Sequence, residues 1–255
     1  MDKSIEYQKL VNKRKLCQEC YLQTGQTNLH NGSNLSFHEG IYDTNAIGQW
    51  SAWHGDLNAD FMVIGQDWGD IDYYIQFRNQ NVGEFERDNK TNINLRTLFQ
   101  CIDPKIDIFD SDTSVKLFFT NSLLCYKEGK MAQPTRAAQH RICSELYLQR
   151  LIEIVEPKII ITLGEKAFSA LWKLNSPKGS KLTSEKYMDL VERGELPLHL
   201  NDSQISVFPV VHPGPLGIRN RNFTLQKRLA QNRTESKGIW HRLILDSSNR
   251  SNQQD

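Results

Sequence analysis

Four short apolar runs, each closed by a polar or glycine-bearing turn, constrain the fold of this chain more than any other feature. They are Phe61 to Ile64, Val115 to Thr120, Ile159 to Ile161 and Ile205 to Val211. Each is mostly an unbroken series of β-branched, aromatic and aliphatic residues rather than an alternation, the pattern of a strand buried on both faces. Helical patterns separate them. Ile93 to Cys101 predicts one helix, and Gly164 opens another through Ala167, Leu171 and Trp172. From Thr135, read as an N-cap, apolar residues recur at Ala138, Ile142, Leu146, Leu151, Ile152 and Val155, which predicts a long amphipathic helix stopped before Pro157. Strands alternating with helices predict an α/β fold: a three-layer αβα sandwich around a central, mainly parallel four-stranded sheet.

The remaining segments carry weaker patterns. Tyr7 to Leu16 predicts a short helix ending at Cys17-Gln18-Glu19-Cys20. Gly25 to Gly55, with no steady period, reads as ordered loop, Lys127 to Pro134 as a polar loop and Ser176 to Gln204 as a polar connection. A C-terminal helix is predicted over Leu225 to Leu245, and the tail Ser247 to Asp255 is expected to be disordered. At 255 residues one hydrophobic core suffices. Residues 1–246 are therefore expected to form a single domain, with the cysteine-containing segment 1–60 packed on it.

A formal charge of +1 excludes a global polyanion-binding field, so any nucleic-acid surface must be local. Gly217 to Arg233 supplies such a cluster: Arg219, Arg221, Lys227, Arg228 and Arg233, with no acidic residue. Taken alone, that run is a solvated helix face. No apolar stretch approaches the ~20 residues of a membrane span, and Met1 to Glu6 is too polar for a signal peptide. A cytoplasmic monomer with no membrane partner is expected.

Two of the apolar runs end on ionisable side chains. Gly65-Gln66-Asp67-Trp68-Gly69-Asp70 follows the first, and His212-Pro213-Gly214-Pro215-Leu216-Gly217 follows the last. In an open α/β sheet the carboxyl ends of the strands line the ligand crevice, so Asp67 and His212 are expected to share one pocket. Each motif by itself also fits a plain turn: Asp67 as an N-cap, His-Pro-Gly-Pro as a rigid bend, Asn121 after the second run as an Asx-turn residue.

Five cysteines in a reducing compartment do not read as a disulfide framework. Cys17 and Cys20 form a chelating pair, whereas 17 residues separate Cys125 from Cys143, which is not the second half of a zinc ribbon. Four thiolates suit either Zn²⁺ or a 4Fe-4S cluster, and four unrelated core thiols are the plainer alternative. Cys101, in an apolar helix, reads as core.

In order and position, Gly65-Gln66-Asp67, Thr120-Asn121 and His212-Pro213-Gly214-Pro215-Leu216 resemble the three motifs of the uracil-DNA glycosylase superfamily. Cys17, Cys20, Cys125 and Cys143 are similar to the four-cysteine pattern of its iron-sulfur class, as is Pro157 to Gly164. The resemblance runs from about Cys17 to about Arg221 and implies a DNA partner and a structural 4Fe-4S cluster, with zinc as the runner-up. It also implies Asp67 and His212 as catalytic residues, and Gly65, Gln66, Asn121, Trp68, Gly69 and Phe77 around the base, with Phe85 an equal candidate to stack on it. Leu216 is similar to the wedge that fills the space of a flipped base; a buried loop residue is its alternative. Pro213 stiffens that loop, and Arg219 and Arg221 are placed to meet phosphates, which turns the basic run towards DNA.

Breaking an N-glycosidic bond leaves a cationic, oxocarbenium-like sugar and an anionic pyrimidine, so the task needs a carboxylate on one side and donors on the other. Asp67 is assigned to the water and the cation, His212 to the base O2, and Asn121, with both acceptor and donor on one amide, to the N3-H and O4 edge. The chain departs from the family where Trp68 replaces proline. Gly69 stands where uracil-specific members carry an aromatic that excludes a C5 substituent. The expected activity is monofunctional excision of uracil or a modified pyrimidine, leaving an abasic site. Removal of a bulky C5-modified base from phage DNA is the nearest rival, and a catalytically silent DNA-binding module and a zinc-stabilised interaction protein are the readings of other classes.

Overall fold

The computed structural model describes residues 2–31, 33, 45–72, 87, 89–110, 115–129, 134–175, 186–200 and 203–214. Its centre is a sheet of five strands: β2 (Phe61–Gly65), β3 (Leu117–Asn121), β5 (Ile159–Leu163), β6 (Leu196–Leu200) and β7 (Ser203–Val210), in the order β3-β2-β5-β7-β6. The first four in that order run parallel; β6 joins β7 antiparallel at one edge. A separate two-stranded ribbon pairs β1 (Leu29–His30) with β4 (Tyr126–Lys127).

Period-two alternation divides the strands between two cores. Met62, Ile64, Phe118, Ile160, Ile205 and Val207 face one cluster, which is covered by helices α1 (Lys3–Lys15), α6 (Gln149–Val155), α7 (Glu165–Asn175) and α8 (Tyr187–Arg193). Val63, Leu117, Phe119, Ile161, Leu163, Phe208 and Val210 face the other, covered by α4 (Lys90–Ile102) and by Trp50 and Trp53 of α3 (Gln49–Trp53). Helices on both faces make the three layers. Among the described residues no helix is long and apolar enough to cross a membrane.

The structure corrects several expectations. The sheet has five strands rather than four, because β6 and α8 lie inside the stretch read as a polar connection. Leu196-Pro197-Leu198-His199-Leu200 alternates buried and exposed residues, the mark of an edge strand with one wet face, and proline is tolerated at such an edge. The segment 25–55 contains β1 and α3. The stretch from Thr135 is not one regular helix: α5 (Ala137–Cys143) starts after Arg136, and a π-helical turn, Ser144–Leu148, separates it from α6. Lys127 does not open a polar loop; it closes β4 with its side chain buried. α2 (Glu19–Thr24) follows Cys17. The predicted C-terminal helix and the tail lie outside the described residues.

Phe118 is fully buried and meets Tyr7 of α1 edge-on at 6.0 Å between ring centroids. Truncating it to alanine empties a site walled by the sheet and α1. Phe118→Ala should cost ~3–5 kcal/mol, read as a lowered urea midpoint at unchanged m.

Candidate active site

The parallel register sets the candidate residues in a row. Gly65 pairs with Asn121 on β3, and Ile64 with Thr162 on β5, so the carboxyl ends of β3, β2 and β5 are level. Leu163 pairs with Val210 on β7, and the Gly164 amide donates to the Val210 carbonyl at 2.8 Å, which brings His212 into the same row. Close approach selects the glycines here. A Cβ on Gly65 would lie 2.2 Å from Asn121 Oδ1 and 2.9 Å from Trp50 Cζ3. One on Gly164, which has φ +90°, would lie 2.6 Å from Gln66 Nε2 and 3.3 Å from the Cβ of His212. The amides of Asn121 and Gln66 are thus packed onto bare backbone on either side of the first motif. Neither makes a side-chain hydrogen bond among the described residues.

The protonation of His212 follows from geometry. The Gly214 amide donates to Nδ1 at 3.0 Å, so Nδ1 is the acceptor and the neutral ring carries its proton on Nε2. Burial holds the imidazole below its ordinary pKa, while the nearby Asp67 carboxylate pulls the other way. At neutral pH the ring is a neutral donor through Nε2. Asn94 of α4 fastens the turn by donating to the Pro213 carbonyl at 2.8 Å, and Pro213 itself is buried.

Asp67 is held through one oxygen. Oδ1 accepts from the Gly69 amide at 3.1 Å and pairs with Lys127 Nζ at 3.0 Å. The two side chains are only 13% and 7% exposed, so this is a buried ion pair. Oδ2 takes no partner among the described residues. The backbone ties the same elements together, with the Lys127 amide donating to the Gly69 carbonyl at 3.1 Å and Asp70 bridging to Lys127.

Beneath the motif runs a directed chain of hydrogen bonds. Ser122 Oγ donates to the Gln66 carbonyl at 2.9 Å and lies 2.8 Å from His140 Nδ1; Thr135 Oγ1 lies 2.7 Å from His140 Nε2 and accepts from Lys166 Nζ at 3.0 Å. The Ser122 hydroxyl proton is committed to Gln66, so Nδ1 donates to Ser122 and Nε2 accepts from Thr135. The chain therefore runs from Lys166 through Thr135, His140 and Ser122 to the carbonyl of the peptide that carries Asp67. It also explains why Thr135 is not the N-cap: its hydroxyl serves His140 and Lys166.

The sequence did not mark Lys127, Ser122, His140, Gly164 or Trp50 as parts of a site. Most of their partners lie far away along the chain, and only Gly164 and Ser122, behind buried runs, offered a positional hint. Trp50 packs edge-on to Phe119 and reaches Gly65. The Trp68 indole lies over Gly48 and Tyr126, and its N-H has no hydrogen-bond partner among the described residues. Phe77, Phe85, Leu216, Arg219 and Arg221 lie outside the described residues.

Cys17, Cys20 and Cys125 lie near Cys143, the last residue of α5. Cys20 of α2 reaches the Gln139 carbonyl at 3.9 Å, and Cys143 Sγ accepts from the Leu124 amide at 3.3 Å. Burial pushes the Cys143 thiol well up, and Cys125, Cys20 and Cys17 push the same way. Burial, then Cys17 and Glu19, raise Cys20 to about 11. Cys125, Cys20 and Cys17 are thus near enough to Cys143 to act on its charge, as Cys17 is to Cys20. Among the described residues no group of three or more His, Cys, Asp or Glu is set to hold a metal ion.

A strand-end carboxylate, a neutral imidazole donor and two uncommitted amides suit cleavage of a bond between a cationic and an anionic fragment. The model of the uracil DNA glycosylase superfamily matches residues 52–235. The chain belongs to that superfamily. Membership makes it a DNA glycosylase-type hydrolase whose partner is DNA. The match includes Asp67, Asn121, His212, Cys125 and Cys143, and begins after Cys17 and Cys20. Curated proteins contain no match to the chain.

His140 supplies a pH test of the buried network. Burial pushes its pKa down from 6.5 to about 4, with Lys166 and Lys127 adding to the depression and Asp67 opposing it. Between those values the unfolded chain binds a proton that the folded chain does not, so this stabilisation is complete above pH 6.5 and is lost as pH falls towards 4. The full window is worth about 3 kcal/mol. Relative to the wild type, His140→Gln should melt lower at pH 7 and lose less stability between pH 6.5 and 4.5.

Proposed function

We propose that this chain hydrolyses the N-glycosidic bond of a pyrimidine flipped out of DNA and leaves an abasic site, with uracil as the default base. One observation carries the reading: the amides of Gln66 and Asn121, Nε2 of His212 and Oδ2 of Asp67 stand at the carboxyl ends of three parallel strands, β2, β3 and β7, with no partner among the described residues. Asp67 Oδ2 holds the attacking water and faces the sugar as positive charge develops on it. Nε2-H of His212 donates to the base O2 as negative charge develops there. Asn121 pairs with the N3-H and O4 edge, Gln66 fixes the base beside Gly164, and Trp50 supplies an aromatic wall. Extrusion of the base costs a few kcal/mol of stacking. Leu216 on the loop stiffened by Pro213 fills the vacated space, and Arg219 and Arg221 meet the flanking phosphates.

A bulky C5-modified pyrimidine is the second reading, as in defence against phages with modified DNA. Gly69 favours it: at φ +107° its backbone occupies a region that side chains rarely adopt, so the position offers no aromatic screen.

We further propose that Cys17, Cys20, Cys125 and Cys143 hold a structural 4Fe-4S cluster that ties the N-terminal segment to α5. The nearness of Cys17, Cys20 and Cys125 to Cys143 and the Leu124 amide aimed at the Cys143 sulfur suit it.

On duplexes carrying single modified bases, the wild type should leave alkali-labile abasic sites. Loss of one oxyanion-type donor lowers turnover by ~10²–10³, so His212→Ala should slow single-turnover excision by that factor with DNA affinity nearly unchanged. Asp67→Ala should abolish excision and keep binding. DNA binding without cleavage of any base would instead identify a silent binding module. Anaerobically purified protein should be brown, contain about four irons per chain and bleach on oxidation. Colourless protein with stoichiometric zinc would replace the cluster by the zinc reading.

A further inference from the structure

The Gln66 carbonyl receives more donors than its burial demands. The Leu123 amide already bonds it at 3.0 Å, and the Ser122 hydroxyl adds a second bond at 2.9 Å. The Ser122 amide donates in turn to the Gly65 carbonyl at 2.9 Å, so the turn after β3 grips the first motif at two successive peptides. Behind the hydroxyl stand His140, Thr135 and Lys166, and of these four residues Ser122, Thr135 and His140 are buried. Hydrocarbon in the same space would leave the carbonyl satisfied by Leu123 and spare the burial of three polar side chains. Stability alone does not call for the chain.

What the chain supplies is direction. The Lys166 ammonium can only donate, so Thr135 Oγ1 accepts from it at 3.0 Å and turns its own proton to Nε2 of His140 at 2.7 Å. Burial keeps the imidazole neutral at pH 7, and its one proton therefore lies on Nδ1, facing Ser122 at 2.8 Å. A hydroxyl that meets a donor on one side gives its proton to the other. Ser122 is thus held in donation to Gln66; with the ring proton on Nε2 instead, Nδ1 would compete for it.

That carbonyl belongs to the peptide that joins Gln66 to Asp67. The Gln66 side-chain amide makes no hydrogen bond among the described residues and rests on Gly164, so its place follows from its backbone. Asp67 is held beyond its Cα through one carboxylate oxygen, by the Gly69 amide and Lys127. On the other side of that Cα, the held point is the Gln66 carbonyl. We propose that Ser122 and His140 are positioning residues of the reaction: His140 keeps the Ser122 hydroxyl donating to the Gln66 carbonyl, and that bond sets the peptide from which Gln66 and Asp67 both project. This role rests on the glycosylase reading for the chemistry that is served, and on the hydrogen bonds for how it is served.

The test uses the full-length protein, well below the melting temperature of every variant. Excision is read under single turnover on duplexes carrying uracil or 5-hydroxymethyluracil, and affinity on a duplex carrying 2′-fluorodeoxyuridine, whose glycosidic bond resists cleavage. One neutral hydrogen bond is worth about three- to tenfold in rate, so Ser122→Ala and His140→Leu should each slow excision by about that factor with affinity nearly unchanged. The double variant should be no slower than the slower single one, because His140 acts through Ser122. His140→Asn, which places an amide donor near the position of Nδ1, should recover most of the loss. Ile142→Val, a loss of one buried methyl group from the same helix, should leave the rate as it is. Amide spectra of isotope-labelled protein give a readout free of the chemistry: the Asp67 amide should move in Ser122→Ala and in His140→Leu, and stay in place in Ile142→Val. If wild type excises a base while Ser122→Ala and His140→Leu keep its rate, or Ile142→Val slows it equally, or the two losses multiply, the inference is overturned and the glycosylase reading stands. If wild type excises no base, the glycosylase reading falls. The positioning of the Gln66–Asp67 peptide then stands if the Asp67 amide moves in both variants and falls if it does not.

Discussion

The register of β2 with its two parallel neighbours is the constraint on which the site depends. Gly65 opposite Asn121 and Ile64 opposite Thr162 set the strand ends level, and the Gly164 to Val210 bond extends the row to β7. A slip of one residue would exchange the faces of a strand, driving Val63 into the place of Ile64 and turning the first motif away from Asn121. The two cores prevent it, because the alternating faces of every strand are already claimed by different helices. Packing energy far from the strand ends therefore holds the geometry of the row.

Upon that frame the protein places charge where water is scarce. Lys127 is buried beside a largely enclosed Asp67, and His140 lies in a network in which every proton has one direction. Such groups destabilise a fold unless they are matched, and here each one is matched by a residue from another element. Lys127 comes from β4, Ser122 from the turn after β3, His140 from α5 and Lys166 from α7. The result is a rigid cradle under Gln66 and Asp67, with the outward-facing atoms Oδ2 and Nε2 left for a ligand. The same helix α5 carries Cys143.

Legibility in the sequence followed the range of the interactions. The four parallel strands were readable because each is a local run of apolar residues, and the motif residues Asp67, Asn121 and His212 because each sits directly behind such a run. β6 was missed because its alternating leucines are diluted by proline and histidine in a polar stretch. Lys127 was assigned to a polar loop because its burial depends on Asp67, 60 positions earlier in the chain.

By itself the sequence determined the α/β class, the superfamily and the residue types available for chemistry, since these depend on periodicity and on short motifs. The tertiary structure alone decided the fifth strand, the tautomer of His212, the chain from Lys166 to Gln66 and the pairing of Asp67 with Lys127. Each of these is set by a contact between elements that are distant in the chain, and no local pattern of hydrophobicity or spacing encodes which buried donor meets which acceptor.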